Sequence, residues 1–128
     1  MLFPGYVSGR EKELHFKLAQ VFVSPSTHES YGLNTLEAMS AGLPVLTASH
    51  YGSRDWFDES FGRMVDYADL RTAPRAMAAA LGELLGDKAA LARMGRSARA
   101  RARSMPFSES AQRLFDSLAG TAGSINGR

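Results

Sequence analysis

Two carboxylates, Glu29 and Glu37, flank Gly32 in the stretch Ser24-Pro25-Ser26-Thr27-His28-Glu29-Ser30-Tyr31-Gly32-Leu33-Asn34-Thr35-Leu36-Glu37, where an apolar run gives way to a helix-forming one. A helix start leaves backbone N–H groups without intrahelical partners and presents the positive end of the helix dipole, so it suits a phosphate. Gly32 lacks the Cβ that would hinder close approach, and the N–H groups of Leu33 and Asn34 are the candidates to hold the anion. The carboxylates lie eight positions apart and do not share one face of a continuous helix. If the loop folds back over the helix start, Glu29 projects at the mouth of a cleft and Glu37, about one and a half turns into the helix, lines its wall. Acids so placed would accept hydrogen bonds from the hydroxyls of a sugar and of a ribose, with the phosphates between them. The plain alternative is a favourable acid ahead of a helix and an exposed helical carboxylate. A glycosidase built on the same pair would need its carboxyl groups about 5 to 10 Å apart across a scissile bond. Glu37, on a helix body beside a phosphate-suited turn, points elsewhere.

The elements that must position these groups follow from periodicity and punctuation. Leu2 to Val7 is a short apolar stretch broken by Pro4-Gly5, and Ser8-Gly9-Arg10-Glu11 offers a capping box for a helix over Gly9 to Leu18, with Leu14 and Leu18 on one face. Gln20 to Ser24 reads as a short buried strand ended by Pro25. A second helix covers Gly32 to Ala41, stopped by Gly42 as a left-handed cap with Pro44 beyond, and Val45 to Ala48 is another apolar strand. Strand, helix and strand with short connections form a βαβ unit with parallel strands, which argues an α/β class.

Tyr51 to Gly62 is an aromatic and acidic connection with a short helix predicted at Ser53 to Phe57, followed by a small strand at Arg63 to Val65. Met77, Ala80, Leu81, Leu84 and Leu85 recur at helical spacing behind Thr72 and Pro74, Gly86 closes that helix, and Asp87 can cap the next, Lys88 to Arg103. This one carries Leu91, Met94 and Ala98 on one side. A last helix behind Pro106 and Ser108 places Ala111, Leu114, Phe115 and Leu118 on one face, before a tail at 120–128 expected to fray. About four short strands leave at least one sheet edge exposed, as in part of a larger domain.

Composition narrows the function classes. The 128 residues are 45% hydrophobic and 22% charged, as in one ordinary globular domain. With 15 Lys and Arg against 13 Asp and Glu, the formal charge is only +2, so overall basicity does not argue for nucleic acid. The absence of cysteine excludes disulfides, thiolate metal sites and a cysteine nucleophile. No run approaches the roughly 18 apolar residues of a membrane span, and the expected address is cytoplasmic.

The pattern Pro-Ser-x-x-Glu-Ser-Tyr-Gly-Leu-x-x-x-Glu-Ala-Met-x-Ala-Gly-x-Pro-Val, from Pro25 to Val45, resembles the carboxylate motif of retaining glycosyltransferases with the GT-B fold, family 4 in particular. The likeness extends over about Phe3 to Leu118: Phe3-Pro4-Gly5-Tyr6-Val7-Ser8 resembles the family's strand and turn, and Gly62 to Asp69 with the Met77 helix resembles its closing segments. It implies a partial Rossmann-like domain, the GT-B C-terminal half, with a short parallel sheet, flanking helices and a helical C-terminus.

The resemblance further implies a hexosyltransferase-like activity in which Glu29 lies near the transferred sugar as the catalytic residue. Glu37 would hold the ribose hydroxyls, and Gly32, Leu33 and Asn34 would cradle the diphosphate. Ser26, His28, Tyr31 and Gly52 are further candidates for touching substrate. The implied donor is a nucleotide-diphosphate sugar, the acceptor is unspecified, and no cofactor or metal is expected.

In the family a basic Arg/Lys pair and the N-terminal acceptor domain precede the matching segment, so residues 1–119 are expected to form an incomplete nucleotide-sugar-binding domain. Alone, it should be inactive without the missing N-terminal GT-B domain. At Tyr51-Gly52-Ser53-Arg54-Asp55, where the family has Gly-Gly-x-x-Glu, Gly52 is kept and Ser53 replaces a glycine.

Other constellations are weaker. His15, His28 and His50 show no metal-ligand spacing; His28, beside Glu29, is the best placed for substrate. Arg93, Arg96, Arg99, Arg101 and Arg103 offer a second class of function, a non-catalytic module meeting nucleic acid or an anionic membrane surface. No aromatic stacking platform accompanies them, so nucleic acid is not expected, while peripheral contact with the inner face of the cell membrane stays open. Trp56, Phe57 and Phe61 read as packing residues rather than a partner surface.

Overall fold

The computed structural model describes residues 3–28, 32–66 and 69–105. They form three parallel strands and five helices in the order α1 (Gly9–Leu18), β1 (Phe22–Ser24), α2 (Leu33–Ser40), β2 (Val45–Ala48), α3 (Tyr51–Arg54), β3 (Gly62–Val65), α4 (Ala73–Gly86) and α5 (Lys88–Ser104). The class is α/β, with sheet order β1-β2-β3. Phe22 pairs with Val45 and Val45 with Gly62, so β2 is hydrogen-bonded on both edges.

All four residues of β2 are buried because both faces of the strand are covered. Val45 packs with Met39 of α2, Phe61, and Ala98 and Ala102 of α5. On the opposite face Leu46 packs with Met77, Ala80 and Leu84 of α4. The ring of Phe61, 1% exposed, stacks on Trp56 at 6.2 Å and meets Phe57 edge-on at 5.1 Å. Phe61 is core, and Trp56 and Phe57, partly buried, pack against it, as expected of packing residues.

Helix α2 ends in a Schellman motif: Gly42 at φ 87° donates its N–H to the Met39 carbonyl, and the Leu43 N–H reaches the Ala38 carbonyl at 3.0 Å. The guanidinium of Arg99 donates to the Ala41 carbonyl at 2.8 Å. The same turn receives α5, since a Cβ on Gly95 would run into the Gly42 carbonyl. Asp87 caps α5 by accepting from the Ala90 N–H at 2.8 Å, as its position predicts.

Several expectations need correction. Phe3 to Ser8 forms no strand, and Phe3 and Tyr6 are exposed; Gly5 bends the backbone at φ 75° and no neighbouring strand is there to pair with it among the described residues. The Ser8 side chain makes no cap bond, because Gly9 takes a left-handed φ of 53° and the first turn departs from the geometry that a capping box needs. Leu14 and Leu18 share a face of α1, but that face is exposed: α1 has no buried residue and Leu18 is 83% exposed.

The strand expected at Gln20 to Ser24 is shorter, and among the described residues it lies at the edge of the sheet rather than buried, with Val23 half-exposed. The short helix is displaced from the expected Ser53 to Phe57: capped by His50, it starts at Tyr51 and ends at Arg54. On α5 the buried stripe runs through Gly95, Ala98 and Ala102, with Leu91 and Met94 only partly covered. Strand β3 begins one residue early, at Gly62. The helix expected behind Ser108 and the 120–128 tail lie outside the described residues.

The α2–α5 contact makes a paired prediction. Gly95→Ala should lower the thermal midpoint: overpacking costs about 1–3 kcal/mol, against the roughly 1 kcal/mol that alanine gains over glycine in a helix. Gly82→Ala, where a Cβ meets nothing within 4 Å, should stabilise by about 0.4–1 kcal/mol. Melting curves followed by circular dichroism check both.

Candidate functional site

Because the strands are parallel, their carboxyl ends at Ser24, Ala48 and Val65 share one edge of the sheet, the edge where open α/β sheets bind ligands. The segment after β1 leads to α2 through Gly32, which caps the helix in the left-handed conformation at φ 55° and ψ 40°. A Cβ there would make only ordinary contact with Thr35, so backbone conformation, rather than crowding by the described residues, is what favours glycine. The first intrahelical bond runs from the Leu36 N–H to the Gly32 carbonyl at 2.9 Å. Among the described residues, the N–H groups of Leu33 and Asn34 have no acceptor, and both residues are exposed.

Ser26 and His28 stand at the carboxyl end of β1. The Ser26 hydroxyl donates to the His28 carbonyl at 3.1 Å and accepts from its N–H at 3.4 Å, while Thr27 Oγ1 lies 3.0 Å from His28 Nδ1. These bonds fold the loop locally and leave both residues exposed. Gly52 lies in α3, just past the carboxyl end of β2. Glu29 and Tyr31 lie outside the described residues.

Glu37 lines a groove of about 920 Å³ between α1 and α2. Leu33, Leu36 and Glu37 form one wall, Lys12, Phe16 and Lys17 the other, and Arg99 also borders it. Glu37 is not an unengaged helical acid: its Oε2 accepts from Lys12 Nζ at 2.7 Å. The structure thus brings the phosphate-suited turn and Glu37 together along one helix, with Ser26, His28 and Gly52 at the same sheet edge. A smaller hollow of about 350 Å³ beside Trp56, Phe57 and Arg101 includes no residue of α2.

Sequence reasoning missed three groups. Lys12 had no signal, since its partner is 25 positions away. Arg99, grouped with the other arginines, serves as a cap for α2. His50 and Ser53 form a reciprocal capping box: His50 Nδ1 accepts from the Ser53 N–H at 3.2 Å, and Ser53 Oγ accepts from the His50 N–H at 3.0 Å. That geometry leaves the imidazole proton on Nε2. A His-x-x-Ser spacing was the available signal, but histidine is not among the usual cap residues.

Two carboxyls are held below the usual range by local bonds. Asp58 is lowered by the Ser60 side chain and then its N–H, and Asp69 by the Arg71 guanidinium and then its N–H. Both stabilise turns, and neither lines the groove. Among the described residues no three His, Asp or Glu side chains are grouped to hold a metal ion.

Residues 1–101 match the family described as Glycosyl transferases group 1. The chain belongs to that family. Among curated relatives of this group 1 member, a D-inositol 3-phosphate glycosyltransferase from Xylanimonas cellulosilytica is 37% identical over 102 residues, covering 79% of this chain and 24% of that protein. One of the same name from Streptomyces avermitilis is 41% identical over 90 residues, covering 65% of this chain and 17% of that protein. The chain therefore spans about a quarter or less of the length of these relatives. A solved structure of sucrose-phosphate synthase from Thermosynechococcus elongatus superposes with a TM-score of 0.65 at 27% identity, covering 84% of this chain and 27% of that one. The architecture is that of a GT-B type domain.

The turn at Gly32 gives a direct test. Gly32→Ala should destabilise this group 1 domain by about 1–2 kcal/mol, the penalty of a side chain in the left-handed region. Gly32→Asn, which tolerates that region, should cost less. Denaturant titration measures both.

Proposed function

We propose that this chain is the donor-binding portion of a retaining glycosyltransferase of the family 4 kind, taking a nucleotide-diphosphate sugar and contributing to transfer of its glycosyl group to an acceptor. The observation that carries the reading is the turn at Gly32, whose Leu33 and Asn34 N–H groups have no acceptor among the described residues, next to a groove that Leu33 and Glu37 both line.

In this reading those N–H groups and the positive end of the α2 dipole hold the diphosphate. They stabilise the charge that develops on it as the sugar departs, which is electrostatic preorganisation rather than attack by a side-chain nucleophile. Glu37 accepts from the ribose hydroxyls, and Glu29 lies by the transferred sugar. Ser26, His28, Tyr31 and Gly52 border the sugar end, and no metal is called on. Residues 1–119 act as the nucleotide-sugar-binding domain, and transfer needs an N-terminal GT-B domain to supply the acceptor and the rest of the cleft. The reading places this chemistry in the cytoplasm. Among the described residues no helix is long and apolar enough to cross a membrane.

Titration of the folded chain with UDP, GDP and ADP sugars, followed by calorimetry, tests it. One of the three should bind, and Glu37→Ala should weaken that binding about tenfold or more, as expected for a lost hydrogen bond to a charged group. No binding by a chain with a cooperative melt, or undiminished binding by Glu37→Ala, counts against the assignment.

A further inference from the structure

Helix α1 is held to the body in an unusual way. None of its residues is buried. Among the described residues, its ion pair to the rest of the chain is Lys12 with Glu37, and its ring contact is Phe16 edge-on to Phe22 at 6.2 Å. A helix that contributes so little to the core nevertheless forms a whole wall of the groove and delivers an ammonium group to the one groove residue assigned to the nucleoside.

We infer that Lys12 is a positioning residue for Glu37, fixing the carboxylate in the orientation that receives the ribose hydroxyls of the donor. The inference rests on the donor-site reading. Lys12 Nζ bonds Oε2, while Oε1 has no partner among the described residues. One oxygen is anchored and the other remains available to a hydroxyl, and Oε2 keeps a second lone pair for the neighbouring hydroxyl. The side chain of Glu37 is 47% exposed, so without the anchor it would sample several rotamers and lose that freedom only when the nucleotide binds. Ordering one such side chain before binding improves affinity by about two- to tenfold.

The test uses the full chain and four variants, Lys12→Met, Lys12→Arg, Glu37→Gln and the Lys12→Met/Glu37→Gln double, titrated with UDP, GDP and ADP. For the tightest of the three, Lys12→Met should weaken binding about two- to tenfold, Lys12→Arg should restore most of it, and Lys12→Met should add nothing to Glu37→Gln. In the nucleotide-free chain, the carboxyl carbon resonance of Glu37 should move in Lys12→Met and stay in place in Lys17→Met, a second groove lysine.

Binding by Lys12→Met at the wild-type level while Glu37→Gln is impaired would overturn the inference and leave the donor site standing. An additive loss in the double variant would also overturn it, because Lys12 would then touch the nucleotide directly. An unmoved Glu37 resonance overturns it whatever binds. If Glu37→Gln binds as well as wild type, or no nucleotide binds while the resonance still responds to Lys12, the donor-site reading fails and takes the proposed use of the pair with it.

Discussion

Parallel pairing of β2 with a neighbour on each edge is the constraint from which the rest of the structure follows. A parallel pair cannot be joined by a tight turn, so each connection must cross a face of the sheet as a helix or long loop and return to the starting edge. The consequence is geometric: the segments that leave Ser24, Ala48 and Val65 all start from one side, and α2 presents its N-terminus there. Burial of Val45 beneath α2 and α5 and of Leu46 beneath α4 then locks the register, since a slip of one residue would exchange the two faces.

The second constraint is how closely helices approach one another. Gly42 and Gly95 let α5 sit on the turn that ends α2, and Arg99 satisfies the Ala41 carbonyl at the same place. Thus the helix that starts at the candidate phosphate turn is secured at its far end by a motif of its own and by a neighbouring helix. At the near end the left-handed Gly32 starts the helix, and the N–H groups of Leu33 and Asn34 have no acceptor among the described residues. The charges divide accordingly. Helix α5 holds six of the 15 basic residues and no acidic one, leaving nine against 13 elsewhere. The small net charge is therefore a basic helix against an acidic remainder, and one of its arginines has a structural role.

Much of this was legible residue by residue. The limits of β2, the Gly42 stop, the Asp87 cap and the burial of Phe61 all come from signals acting over a few positions, where turn chemistry and periodicity hold. The Leu14–Leu18 spacing identifies a helix face but not its burial: a periodic pair buries only if something lies opposite, and both leucines are exposed. Strand β1 was read as buried for the same reason: an apolar, β-branched run looks alike in the middle of a sheet and at its edge. Helix-start chemistry alone placed Gly32, Leu33 and Asn34 at the start of α2, while the engagement of Glu37 by Lys12 had no such signal.

By itself, the sequence determined the α/β alternation, the position of the helix start and the residues that open that helix. Each of those depends on backbone preferences and caps set within a turn or two. Tertiary structure alone decided that Lys12 holds Glu37 across 25 positions and that Arg99 reaches Ala41 across 58. Such contacts carry no local signature: they exist only once burial of β2 has brought distant helices side by side.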